Sequence, residues 1–155
     1  MKKKLILATL LSLFVVLTFA GCKKDVESDT EYGDEIKGIE LTSVSDVKDS
    51  IKQENLYIFA LGNEDCPACL AYREYLKELE DNEGVRLDYI DVTAEDRDEI
   101  GDLLYNVLKQ DPQEGIATPT TFFIRDGEVV DTLIGAVDYE VIMEEYGDLI
   151  KEFAQ

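Results

Sequence analysis

Two cysteines, Cys66 and Cys69, stand three positions apart in the stretch Cys66-Pro67-Ala68-Cys69. Because proline suits the first position of a helix, Cys66 is the predicted N-cap and Cys69 lies one turn further on. A thiol at an N-cap lies close to free backbone N–H groups and to the positive end of the helix dipole, which favour the thiolate. We therefore predict that Cys66 attacks a substrate sulfur and that Cys69 resolves the mixed disulfide.

The composition excludes most other chemistry. The chain has 155 residues with no histidine and only three cysteines, which excludes His-ligated zinc, Cys-His nucleophile pairs and four-cysteine clusters. Attachment of a c-type haem is excluded as well, because Leu70 follows Cys69 where a histidine is required. A passive disulfide remains an alternative, although so short a loop contributes little chain entropy. We predict no metal and no cofactor.

The charge of the chain limits its partners. Asp and Glu number 35 against 15 Lys and Arg, which gives a formal net charge of −20. Nucleic acid is therefore not an expected partner, because phosphate binding needs clustered Lys and Arg. Apolar residues make up 45% of the chain, which is enough for one hydrophobic core. We expect one globular domain, a monomer, preceded by a charged segment.

The first 21 residues have the pattern of a secretory signal. Lys2, Lys3 and Lys4 are followed by an apolar stretch that ends at Ala20, and the chain then turns polar. The apolar stretch is shorter than the roughly 20 residues that a spanning helix needs, so a tilted signal-anchor is the less favoured alternative. We predict a signal peptide at 1–21, an acidic tether at 22–37 and a domain at 38–155.

The end of the signal resembles the cleavage site of bacterial lipoprotein precursors, in which small residues precede a cysteine. Ala20 and Gly21 match that pattern before Cys22. The resemblance implies cleavage before Cys22, a lipid on its sulfur and a position outside the cytoplasm at the cell membrane. The alternative is an ordinary signal peptide followed by a free cysteine.

From Gly38 onward, hydrophobic patterns predict alternating strands and helices. The predicted strands are Ile39–Leu41, Leu56–Leu61, one within Val85–Val92, Thr120–Arg125 and Glu128–Ile134. The predicted helices begin after Ser43 or Ser45, at Pro67, at a capping box of Thr93 to Asp96 and shortly before Ile142, with the third ending at Pro112 and Gly115. Asp126-Gly127 predicts a hairpin turn. This order indicates an α/β fold with a mixed central sheet and helices on both faces.

These features together resemble the thioredoxin-like fold family, over roughly Ile39 to Phe153. The resemblance depends on the cysteine motif, on Thr118-Pro119-Thr120 before a strand, and on the hairpin. It implies a thiol–disulfide oxidoreductase that acts on protein thiols or disulfides and exchanges electrons with a further partner. It also implies that Pro119 is a cis-proline facing the cysteines and that the Thr118 backbone pairs with an extended substrate.

The motif differs from that of thioredoxins in its acidic residues. Thioredoxins place a buried acid on the strand before the motif as a proton relay, whereas Tyr57 to Leu61 is wholly apolar. Glu64 or Asp65 is the candidate substitute, with solvated loop acids as the simpler interpretation. Because adjacent negative charge raises the pKa of a thiol, these acids favour a reducing role for Cys66 slightly.

Two other functions remain open. The chain is also similar to thioredoxin-like proteins associated with bacteriocin export, which implies a redox-inert binding or accessory module for export or assembly. A metal-handling lipoprotein is a third, weaker alternative.

Overall fold

The computed structural model describes residues 38–111, 113, 115 and 117–154. The predicted signal peptide at 1–21, Cys22 and the tether at 22–37 lie outside these residues and stay predictions. Among the helices that the structure describes, none combines the length and the apolar character needed to cross a membrane.

The described chain forms a four-stranded sheet with helices on both faces. Its elements are α1 Val44–Gln53, β1 Leu56–Gly62, α2 Pro67–Glu83, β2 Leu87–Asp91, α3 Arg97–Gly101, a π-helical continuation Asp102–Val107, β3 Thr120–Arg125, β4 Glu128–Ile134 and α4 Tyr139–Phe153. The strand order is β2-β1-β3-β4. Strand β1 is parallel to β2 and antiparallel to β3, and β3 is antiparallel to β4. The predicted α/β class and mixed sheet are confirmed.

Strand β1 lies in the middle of the sheet and is buried on both faces. Tyr57, Phe59 and Leu61 pack against α1 and the α3 region, whereas Ile58 and Ala60 pack against α2 and α4. A continuous apolar run is what a strand covered on both faces requires. The cysteine motif therefore follows directly after a strand at the centre of the fold.

Local capping determines where several elements begin and end. Ser43, one of the two predicted N-caps of α1, accepts a hydrogen bond from the Asp46 N–H at 3.2 Å. Helix α2 ends at Gly84, whose φ of 69° is the left-handed conformation that glycine adopts readily. At the hairpin, Asp126 and Gly127 both have positive φ, as a tight turn between twisted strands needs.

The predicted strand Ile39–Leu41 is wrong. Only Leu41 pairs with the sheet, as an isolated parallel bridge to Tyr89. The backbone of Ile39 is instead engaged by α2, because its N–H donates to the Arg73 carbonyl at 3.4 Å and its carbonyl accepts from Arg73 Nη2 at 2.7 Å. A backbone whose polar groups are satisfied by a helix cannot extend the strand ladder.

The predicted capping box at Thr93 is also wrong. Helix α3 is capped by Asp96, whose carboxylate accepts from the Asp98 N–H at 2.8 Å. The Thr93 hydroxyl is engaged elsewhere, because it donates to Asp91 at 2.8 Å. The apolar stripe of this helix faces the core as predicted, but the helical segment ends at Val107, before Pro112.

Candidate functional site

The two thiols of the motif lie at the start of α2, where the sequence predicts them. Cys66 is the N-cap residue and Pro67 the first helical residue. Both cysteines are free thiols, Cys66 partly exposed and Cys69 fully buried. An accessible thiol therefore stands one helical turn from a sheltered one.

The pKa values of the two thiols move in opposite directions. A hydrogen bond with the Cys69 thiol, followed by backbone N–H groups of Cys69 and Ala68, lowers the pKa of Cys66. Burial raises the pKa of Cys69, and its hydrogen bond with Cys66 adds to that effect. At neutral pH the accessible sulfur is therefore the better nucleophile.

The loop before β3 lies against the buried thiol. The Thr118–Pro119 peptide bond is cis and Pro119 is buried. The Thr118 side chain forms a hydrogen bond with the Cys69 thiol that lowers its pKa. The Pro119 carbonyl accepts from the Gly135 N–H at 2.8 Å, which ties the loop to the end of β4. The structure thus brings Thr118 to Cys69, and substrate binding by Thr118 and Pro119 remains a prediction.

Asp91 anchors the loop between β1 and the thiols, and sequence reasoning missed it. Its buried carboxylate accepts from the Glu64 N–H at 3.3 Å and from the Thr93 N–H at 3.0 Å. The Val92 N–H donates to the Gly62 carbonyl at 2.9 Å in the same region. An acid at the end of a buried strand was the available sequence signal for this role.

The charge of Glu64 is compensated within the fold. Its carboxylate forms an ion pair of 3.2 Å with Arg73, whose side chain is only 7% exposed. Asp65 is exposed, and its N–H donates to the Asn63 side chain at 2.7 Å. Neither acid is among the groups that shift the pKa of Cys66. The two acids therefore do not determine the pKa of Cys66, contrary to the expectation from the sequence.

Tyr89 and Arg73 form a buried polar pair between β2 and α2, which sequence reasoning also missed. The guanidinium carbon of Arg73 lies 5.3 Å from the centroid of the Tyr89 ring. Arg73 follows Cys69 by four positions, so both lie on the buried face of α2. That spacing was the only sequence signal, because a charged residue on an apolar helix face requires a buried partner.

In the described ranges, no three Cys, Asp or Glu side chains come together in a way that could hold an ion. The groups that act on the two thiols are backbone N–H groups and the Thr118 hydroxyl.

Comparison with known proteins establishes the fold. No protein-family model matches the chain, and no curated protein matches it. Solved structures do match it, among them a putative oxidoreductase with a thioredoxin fold, at a TM-score of 0.55 and 14% identity over 70% of this chain and 92% of the other. A mutant thioredoxin from Halobacterium salinarum gives 0.54 and 17% over 77% and 93%. The reduced thioredoxin pre-protein of Schistosoma mansoni gives 0.53 and 25% over 74% and 96%. The chain has a thioredoxin-like fold, as predicted.

Proposed function

We propose that the protein is a thiol–disulfide oxidoreductase that acts on protein substrates through Cys66 and Cys69. The observation that carries this proposal is the asymmetry of the two thiols at the start of α2. One is accessible with a lowered pKa, and the other is buried with a raised pKa. Nucleophilic attack needs the first property, and a resolving thiol that waits for the mixed disulfide has the second.

The reaction proceeds in two exchanges. The Cys66 thiolate attacks one sulfur of a substrate disulfide, and the other substrate sulfur leaves as a thiolate that takes up a proton from water. Cys69 then loses its proton and attacks the Cys66 sulfur, which releases the second substrate thiol. Two electrons have moved to the substrate, and a Cys66–Cys69 disulfide remains for an electron-transfer partner to reduce.

The loop before β3 is where we propose that an extended substrate binds. Thr118 is half-buried beside Cys69, and Pro119 directly precedes β3. Backbone pairing with Thr118 would hold a substrate strand across the thiols, with affinity supplied by main-chain hydrogen bonds.

We base the proposed reducing direction on the groups around Cys66 and not on the charges of Glu64 and Asp65. Within the described residues, the groups that lower the pKa of Cys66 are neutral: a thiol and backbone N–H groups. A thiolate without a cationic partner is less stabilised, and a less stabilised reduced form makes a more reducing couple.

The function is tested by the reduction of insulin disulfides with a small dithiol as electron source. Wild-type protein should accelerate the reaction, whereas Cys66→Ser and Cys69→Ser should each lose the acceleration. Cys22→Ser is the matched control, because it removes a cysteine outside the motif and should keep full activity. No acceleration by wild type would favour a redox-inert binding module, whereas equal acceleration by all four proteins would contradict the roles of Cys66 and Cys69.

We propose that the protein is attached to the outer side of the cell membrane through a lipid on Cys22. The support is the small residues before this cysteine and the polar segment after it. Labelled fatty acid should enter the full chain and not Cys22→Ala. Equal labelling of both would remove the lipid proposal, and retention of residues 1–21 without label would indicate a signal-anchor.

A further inference from the structure

A hydrogen bond between two buried hydroxyl groups joins α2, which bears the thiols, to the strand that follows Pro119. The Tyr72 hydroxyl oxygen lies 2.8 Å from the Thr121 hydroxyl oxygen, and both residues are buried. Burial of two hydroxyls is unfavourable unless they pair, and apolar side chains of the same shape would fill the space without that requirement. A buried hydrogen bond fixes a distance and a direction between its two elements, which apolar packing does not.

Both residues lie at the end of the fold that carries the thiols. Tyr72 follows Cys69 by three positions, so the two side chains lie on the same buried face of α2. Thr121 is the second residue of β3 and comes two positions after Pro119. The hydrogen bond therefore spans the space between the first turns of α2 and the start of β3.

The sheet presents small side chains where Tyr72 reaches across. Thr121 pairs with Ala60 of β1 in the sheet, and Ala60 and Tyr72 belong to the same buried cluster. Further along the two elements, the larger residues Leu76 and Phe123 close the same interface. Packing there is apolar and has no preferred direction. Close to the thiols, by contrast, α2 and β3 are joined by a directional contact.

The loop before β3 is fastened to the sheet. The Thr120 hydroxyl donates to the Ala117 carbonyl at 2.7 Å, and the Pro119 carbonyl accepts from the Gly135 N–H at 2.8 Å. These bonds tie the loop to β3 and to the end of β4, so the loop takes its position from that part of the sheet. A displacement of β3 relative to α2 would therefore displace the loop relative to the thiols.

We propose that the Tyr72–Thr121 hydrogen bond sets the separation between the thiols and the loop before β3, and that Tyr72 and Thr121 are positioning residues for an extended substrate. The inference rests on the proposed function, because it concerns how the loop presents a substrate disulfide to Cys66. Neither hydroxyl is among the groups that act on the two thiols. A small disulfide that reacts without binding to the loop does not need this contact.

The test compares two disulfides that share one leaving group. One is cystamine, which has no peptide backbone, and the other is a short linear peptide whose central cysteine is disulfide-bonded to cysteamine. Protein-dependent reduction of each is measured for wild type, Tyr72→Phe and Thr121→Val, with a small dithiol as electron source. We expect KM for the peptide to rise about threefold to tenfold in each variant, as the loss of one hydrogen bond predicts. The value of kcat/KM for cystamine should change by less than about twofold.

The double variant, Tyr72→Phe with Thr121→Val, separates positioning from stability. Each single substitution leaves one buried hydroxyl unpaired and should lower resistance to urea, whereas the double variant leaves neither and should recover much of that resistance. The hydrogen bond is lost in all three variants. KM for the peptide should therefore stay high in the double variant although its stability returns.

Tyr57→Phe is the matched control. The Tyr57 hydroxyl is also buried and donates to Asp88 at 2.6 Å, but Tyr57 lies near the start of β1, at the opposite end of the sheet from the thiols. This substitution should lower resistance to urea and leave the kinetics with both disulfides unchanged.

A wild-type KM for the peptide in both single variants would overturn the inference, and so would the return of that KM together with stability in the double variant. Equal slowing of both disulfides would overturn it as well, because the contact would then act on the thiols and not on the loop. Wild-type protein that reduces neither disulfide would instead remove the proposed function.

Discussion

Replacement of Gly62 by alanine tests the close packing of β1 against Tyr89. A Cβ at position 62 would be 1.6 Å from the Tyr89 hydroxyl oxygen, 2.3 Å from Cζ and 3.1 Å from Cε1. The ring is buried and stacked on Arg73, so it cannot swing into solvent without losing that contact. Overpacking of this kind costs about 1–3 kcal/mol, and we expect Gly62→Ala to lie at the upper end of that range.

A double-mutant cycle shows whether the clash with Tyr89 is the cause. Tyr89→Leu removes the hydroxyl and Cζ, and alone it should destabilise by about 1–3 kcal/mol through the cavity that it leaves. With both substitutions the new methyl group enters that cavity. The double mutant should therefore be more stable than the sum of the single effects by about 1–3 kcal/mol.

Urea unfolding monitored by circular dichroism measures each free energy of unfolding. Gly147→Ala is the matched control, because its Cβ would approach Met143 Cε no closer than 3.4 Å within α4. A helical glycine-to-alanine change should be neutral or stabilising by up to about 1 kcal/mol. Additive effects of Gly62→Ala and Tyr89→Leu, or equal effects of the two glycine substitutions, would refute the proposed packing.

Two further predictions concern the pKa values of the thiols. Replacing Glu64 by glutamine and Asp65 by asparagine together should change the alkylation rate of the nucleophilic thiol at neutral pH by less than about twofold, because one acid is paired with Arg73 and the other is solvent-screened. A tenfold acceleration would restore these acids as controlling groups. Thr118→Val should raise the pKa of Cys69 and slow resolution about fivefold to tenfold at neutral pH, because the lost hydroxyl stabilises that thiolate. Resolution at the wild-type rate would argue against this.

The elements that position the site follow from local sequence patterns. The apolar run of β1, the proline after Cys66 and the Asp126-Gly127 turn each determine a conformation over a few residues, so the sequence predicts them well. The prediction of a strand at Ile39–Leu41 is wrong because the main-chain carbonyl and the side chain of Arg73 in α2 satisfy the backbone of Ile39. Residue type within a three-residue run contains no information about such a distant partner.

The polar support of the site depends on contacts between distant elements. Arg73 meets Glu64 across the turn that joins β1 to α2, and Tyr89 meets Gly62 across two neighbouring strands. Both contacts depend on the register and packing of the finished sheet. The sequence therefore predicts where the thiols lie. It also assigns an electrostatic effect to Glu64, and the ion pair with Arg73 compensates that charge.

Trapping of mixed disulfides tests the central claim most directly. Cys66 is accessible with a lowered pKa, whereas Cys69 is buried with a raised pKa, so the two thiols should not exchange roles. With a disulfide-containing peptide, Cys69→Ser should accumulate a covalent mixed disulfide on Cys66, visible as an added mass that a reductant removes. Cys66→Ser should accumulate none. Equal trapping by both variants, or trapping on Cys69 alone, would contradict the account.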